Sequence, residues 1–115
     1  MNTVELARLF SIGKFEPVYD FIAPDAVWTI IGEKQLSGKD AIMAHCQQVS
    51  DYFRTVTTNF ITDMVIAQDE RVVVSGTAEF SRAGQRLSFI SACDVYEFTS
   101  EGQLKSITSY CIPEK

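Results

Sequence analysis

From Arg54 to Ile112 the chain carries four long stretches rich in β-branched and aromatic residues, at about 55–67, 71–82, 86–98 and 103–112. Asp69-Glu70, Ala83-Gly84 and Glu101-Gly102 supply the turns between them. Connections this short force antiparallel pairing, because a parallel return needs a crossover of about a dozen residues or more. Such a sheet has an apolar face to cover, and the first fifty residues have the periodicity to do it. Helices first and a run of long strands afterwards is an α+β order.

The covering elements can be read in turn. Asn2 and Glu5 resemble a capping box, and Leu6, Leu9 and Phe10 recur at helical spacing, so a helix is expected over 3–12 with Gly13 as its stop. A second short helix is expected at about 15–22, with Pro17 in its first turn and Phe15, Val18, Tyr19 and Ile22 as its apolar stripe. Ala23-Pro24-Asp25 should break the pattern, after which Val27 to Ile31 reads as a strand. Gly32 to Leu36 reads as a polar loop. Ser37 is expected to cap the longest helix, about 38–53, with Asp40 favoured by its dipole. Ile42, Cys46, Val49 and Phe53 line one face of that helix, a stripe suited to covering a sheet.

Composition narrows the function classes. At 115 residues, 46% of them hydrophobic, the chain is expected to form one domain, 1–115, with its own core. A net charge of −5 and scattered Lys and Arg argue against nucleic acid, whose phosphates need clustered cations. No apolar run approaches a membrane span, and the N-terminus lacks the basic and apolar regions of a signal peptide, so no membrane partner and a cytoplasmic location are expected. Cys46, Cys93 and Cys111 lie far apart, which is neither a disulfide framework nor a zinc pattern; no metal and no cofactor are expected.

Three stretches in their order carry a family resemblance: Phe21-Ile22-Ala23-Pro24-Asp25-Ala26-Val27-Trp28, then Ser37-Gly38-Lys39-Asp40-Ala41-Ile42, then Asp94-Val95-Tyr96-Glu97-Phe98 followed by Gly102-Gln103-Leu104-Lys105-Ser106-Ile107. In order and spacing the chain resembles the nuclear-transport-factor-2-like superfamily, and within it the SnoaL-like proteins and ketosteroid isomerases. The resemblance implies a cystatin-like cone, a curved and mostly antiparallel sheet wrapped around the long helix, with two short N-terminal helices and a pocket at the open end. It also implies a homodimer paired through the outer face of the sheet.

Asp94 matches the oxyanion-hole aspartic acid of the isomerases, which an apolar site keeps protonated. Ile90, Ala92 and Tyr96 share its side of the strand. The match to the isomerase base is Ile30, and the match to the phenol falls near Leu6, so two of three isomerase groups are missing. His45, the one histidine, matches a pocket-lining aromatic and would form an acid–base dyad with Asp94 if the two met. Alternation along the strands puts Trp28, Ile30, Phe80 and Cys111 on the pocket side. The expected lining is Trp28, Ile30, His45, Phe53, Phe80, Asp94 and Cys111, unless these residues simply fill the cone as core. The expectation is a pocket domain that binds a small apolar molecule. An isomerase, cyclase or hydratase using Asp94 and His45 is the alternative, and a protein-interaction module a weaker one.

Overall fold

A computed structural model describes residues 1–114. Helix α1 spans Thr3–Ser11, and Asn2 caps it, its Oδ1 accepting from the Glu5 N–H at 2.8 Å. Leu6, Ala7 and Phe10 form its buried face. At its end the Lys14 N–H returns to the Leu9 carbonyl at 2.9 Å and the Gly13 N–H to Phe10 at 3.1 Å, a Schellman closure that needs the positive φ of 79° at Gly13. Ser11 is thereby fixed on the last helical turn.

The next element, Glu16–Phe21, is a 3-10 helix, with Pro17 in its opening turn and Val18 fully buried. Strand β1, Ile22–Ile30, follows without the expected break. Pro24 lies where the ladder with the last strand skips from Ile22 to Val27, so its missing N–H removes no pairing bond. The expected loop over 32–36 instead contains a short strand β2, Lys34–Ser37, that pairs with β1. That pairing draws Ser37 into the ladder opposite Val27, so Ser37 does not cap the long helix. Gly38 stands at the N-cap without a side-chain bond, and its own N–H donates to the Ala26 carbonyl at 2.7 Å.

Helix α2 is Lys39–Phe53, with Ile42 and Cys46 fully buried and Val49 packed against the core. Strands β3 Thr57–Gln68, β4 Arg71–Arg82, β5 Gln85–Phe98 and β6 Leu104–Pro113 form the antiparallel meander. The sheet order is β2-β1-β6-β5-β4-β3, and β1 pairs with β6 in parallel. Helix α2 packs on β1 and β2, and α1 on β4 and β5. The architecture is the α+β cone: helices on the inner side of a mostly antiparallel sheet.

Bulges interrupt the meander and bend it. In β3 the register shifts between Thr62 and Met64, leaving Asp63 unopposed. Across from it, β4 comes so close that a Cβ on Gly76 would collide with the Ile61 carbonyl oxygen. The closed end of the cone is filled by Leu6, Val18, Ile22, Val72, Phe98 and Leu104, all essentially without exposure. Phe10 stands edge-on to Phe15, Trp28 and Tyr96, with centroids at 4.8, 5.0 and 6.0 Å.

Candidate functional site

Above this packed end the inner faces do not meet, and a cavity of about 310 Å³ remains. Trp28 and Ile30 reach it from β1, His45 and Phe53 from α2, Phe80 from β4, Asp94 from β5 and Cys111 from β6. All seven residues singled out from the sequence thus border one space. Ser11, Phe60 and Ser109 border it too, with Glu33 from the turn between β1 and β2. A side chamber of about 30 Å³ adjoins Ser11 and Asp94 beneath Gly76, large enough for a water molecule.

The wall on the β3–β4 side is aromatic. Phe53 and Phe80 stack at 5.4 Å, and Phe60 stands edge-on to both at 5.6 and 6.0 Å. Gly13 lies against the Phe53 ring, which a side chain there would displace. No hydrogen-bonding side chain belongs to this cluster.

The polar groups come from α1, β5 and β6. Ser11 Oγ donates to Asp94 Oδ2 at 2.9 Å and meets Tyr96 Oη at 2.5 Å. Because a hydroxyl carries one hydrogen, the Ser11 bond to Asp94 leaves Tyr96 to donate to Ser11. Ser109 lies directly across the ladder from Asp94, and its Oγ accepts from Trp28 Nε1 at 2.9 Å. Burial raises the Asp94 pKa, while the hydroxyls of Ser109 and Ser11 beside the carboxylate oppose the rise. Burial, reinforced by the charge of Asp94, holds the Tyr96 phenol well above its ordinary range.

His45 is half-buried on α2 with its ring edge-on to Trp28, centroids at 5.1 Å. Burial and then the Lys34 charge lower its pKa, with Glu33 acting in the opposite sense, so the ring is neutral at neutral pH. Asp94 and His45 share the cavity, yet among the described residues no hydrogen bond or ion pair joins them. The carboxylate is oriented by hydroxyls and the imidazole by an indole edge. The two thiols Cys46 and Cys111 are disfavoured as nucleophiles: burial pushes Cys46 up to about 12, and burial with the Asp94 charge raises Cys111. Among the described residues no three His, Cys, Asp or Glu side chains stand together as a metal site. No described helix is long and apolar enough to cross a membrane.

Sequence reasoning missed Ser11, Phe60, Ser109 as a bonded partner, and the bond from Tyr96. Ser109 was legible as pocket-facing from strand alternation. Ser11 had no comparable signal, since a serine on a helix's last turn marks no face until the helix is docked.

Comparison with known proteins agrees with the architecture. The profile of the SnoaL-like domain family matches residues 4–107. An NTF2-like protein of unknown function from Cytophaga hutchinsonii is 31% identical, with 94% of each chain covered and a TM-score of 0.84. An LEH-like epoxide hydrolase from M. tuberculosis shares the fold at 15% identity and TM-score 0.74, covering 96% of this chain and 82% of its own. An NTF2-like protein of unknown function from Burkholderia pseudomallei does so at 21% and 0.71, covering 95% and 89%. No curated protein matches the chain. With the family profile spanning residues 4–107 and a 31% identical relative covered over 94% of its length, the chain belongs to the SnoaL-like domain family of the nuclear-transport-factor-2-like superfamily.

Proposed function

We propose that the cavity binds a small, largely apolar molecule. The observation that carries this reading is the contrast within one enclosure of about 310 Å³: an aromatic and aliphatic lining with a single partly buried carboxyl on its wall. At the volume each molecule takes in liquid water, roughly 30 Å³, this is room for about ten non-hydrogen atoms. That is the size of a one- or two-ring compound. Thermal-shift and calorimetric titration with a series of one-, two- and four-ring compounds tests it. Saturable binding of the smaller rings, weakened by Phe60→Ser at the aromatic wall, is the expected result; no saturable binding by any member would refute it.

A second reading is supported by the raised pKa of Asp94. In it the site is a SnoaL-like isomerase, cyclase or hydratase in which Asp94 acts as the acid–base group and His45, neutral and exposed to the same cavity, accepts or gives a proton on its own account. It predicts turnover of a bound carbonyl or epoxide compound that Asp94→Asn abolishes while binding survives.

For the assembly we propose a homodimer through the outer face of the sheet. Ile61, Met64, Ile66, Tyr110 and Ile112 are large, apolar and at least 45% exposed, and they lie on this face. Between them run Ser75, Thr77 and Ser91 rather than charges. Sedimentation at micromolar concentration should give a dimer that Ile112→Glu dissociates; a wild-type monomer would count against it.

A further inference from the structure

The two hydroxyls that flank Asp94 are each backed by a buried donor. Tyr96, with no exposure, gives its phenolic hydrogen to Ser11. Trp28, whose indole N–H can only donate, gives its hydrogen to Ser109. Ser11 therefore receives from behind and directs its one hydrogen forward to the carboxylate, and Ser109, which also receives from behind, stands directly across the ladder from Asp94 with its one hydrogen still to place. Turning Ser11 around would leave its hydrogen seeking a new acceptor inside the wall, and a buried donor left without one is costly. A proton taken up by Asp94 thus meets Ser11 already committed as a donor, and its open direction is the cavity.

We propose that these two donor chains, Tyr96–Ser11 and Trp28–Ser109, make the cavity select its ligand by hydrogen-bond polarity. With Asp94 ionised it takes a two-ring apolar molecule bearing a donor, and with Asp94 protonated one bearing an acceptor. Ser11, Ser109, Tyr96 and Trp28 are positioning residues in this scheme. The inference rests on the small-molecule reading above. The titratable groups facing Asp94 are Tyr96 on its own strand, Cys111 on β6, His45 on α2 and Glu33 in the β1–β2 turn. Helix α1 contributes Ser11, and β4 contributes Val74 and Ala78, none of which titrates.

Three near-isosteric probes separate the possibilities. Indole carries only a donor, 1-indanone only an acceptor, and naphthalene neither; all stay neutral between pH 4 and 8. Indole affinity should rise about tenfold as Asp94 ionises, 1-indanone should weaken by a similar factor, and naphthalene should hardly change. In Asp94→Asn the amide oxygen would take the Ser11 hydrogen and the NH₂ would face the cavity, so 1-indanone should be preferred at every pH. Tyr96→Phe frees Ser11 to turn and should reduce the opposed swing several-fold; His45→Gln should leave it in place. Naphthalene binding with no opposed swing of the other two would overturn the inference and leave the small-molecule reading standing. A swing that survives Asp94→Asn but not His45→Gln would overturn it in favour of the imidazole, and failure of all three probes to bind would overturn both readings.

Discussion

In one part of the cavity lining Asp94, Ser11 and Ser109 are held by hydrogen bonds that run back to Tyr96 and Trp28. In another part Phe53, Phe60 and Phe80 are held by ring packing alone. The polar wall is directional, since each bond dictates where the next hydrogen points. The aromatic wall is not, and it sets volume and dryness rather than orientation. An apolar ligand would owe its affinity to the second wall and its pose to the first. Substitutions can break the two separately.

The largest effect is expected at the aromatic wall. Phe80→Ala removes a nearly buried ring that contacts Phe53, Phe60 and Tyr52, and should cost about 2–4 kcal/mol in urea unfolding while enlarging the cavity. Gly76→Ala comes next. Its Cβ would drive into the Ile61 carbonyl and push β3 off β4, at a cost of about 1–3 kcal/mol. It should also displace Phe60, so loss of stability is accompanied by weaker binding of the apolar probes.

The pH dependence of stability should divide along the same line. Asp94 has its folded pKa raised above the ordinary 3.8, so its protonated form favours the fold. Its contribution is complete below 3.8 and is lost as pH rises through the folded value. Asp94→Asn should therefore match wild type in acid and be the more stable protein at neutral pH. His45 has its folded pKa lowered from 6.5, so its neutral form favours the fold, fully above 6.5 and decreasingly as pH falls toward the folded value. His45→Gln should gain on wild type only in acid. Stability curves of the two variants with opposite slopes are the expected measurement; parallel curves would contradict the independence of the two groups.

The smallest effect lies away from both walls and serves as a control. The turn Ala83-Gly84 joins β4 to β5 with positive φ at both residues, 52° at Ala83. Asparagine tolerates that conformation better than alanine, so Ala83→Asn should raise stability by about 0.5–1 kcal/mol without altering probe binding.

The meander was the most legible part of the sequence, because connections of two to five residues leave consecutive strands no other pairing and period-two alternation then assigns their faces. Trp28, Ile30, Phe80, Asp94 and Cys111 border the cavity by that rule alone. What escaped were features decided at a distance. Lys34–Ser37 has no β-branched residue to announce a strand, and it becomes one only because β1 offers an edge. Ser37 looked like a cap because Ser-x-x-Asp is a local pattern, and a nonlocal ladder took the residue first. Ser11 and Tyr96 are 85 positions apart, so nothing in either neighbourhood signals their bond.

The parallel pairing of β1 with β6 also bears on how the molecule comes into being. Hairpins β3–β4, β4–β5 and β5–β6 join neighbours in the chain and can zip as soon as both strands exist. Strand β1 has a local partner in β2, but its other edge is paired only once Leu104–Pro113 is made. The Trp28–Ser109 bond, which joins β1 to β6, is therefore among the last to form. The β6 side of the pocket is thus completed late in folding, and a nascent chain stalled before Leu104–Pro113 would have most of the sheet but lack Ser109 and Cys111 on the cavity wall.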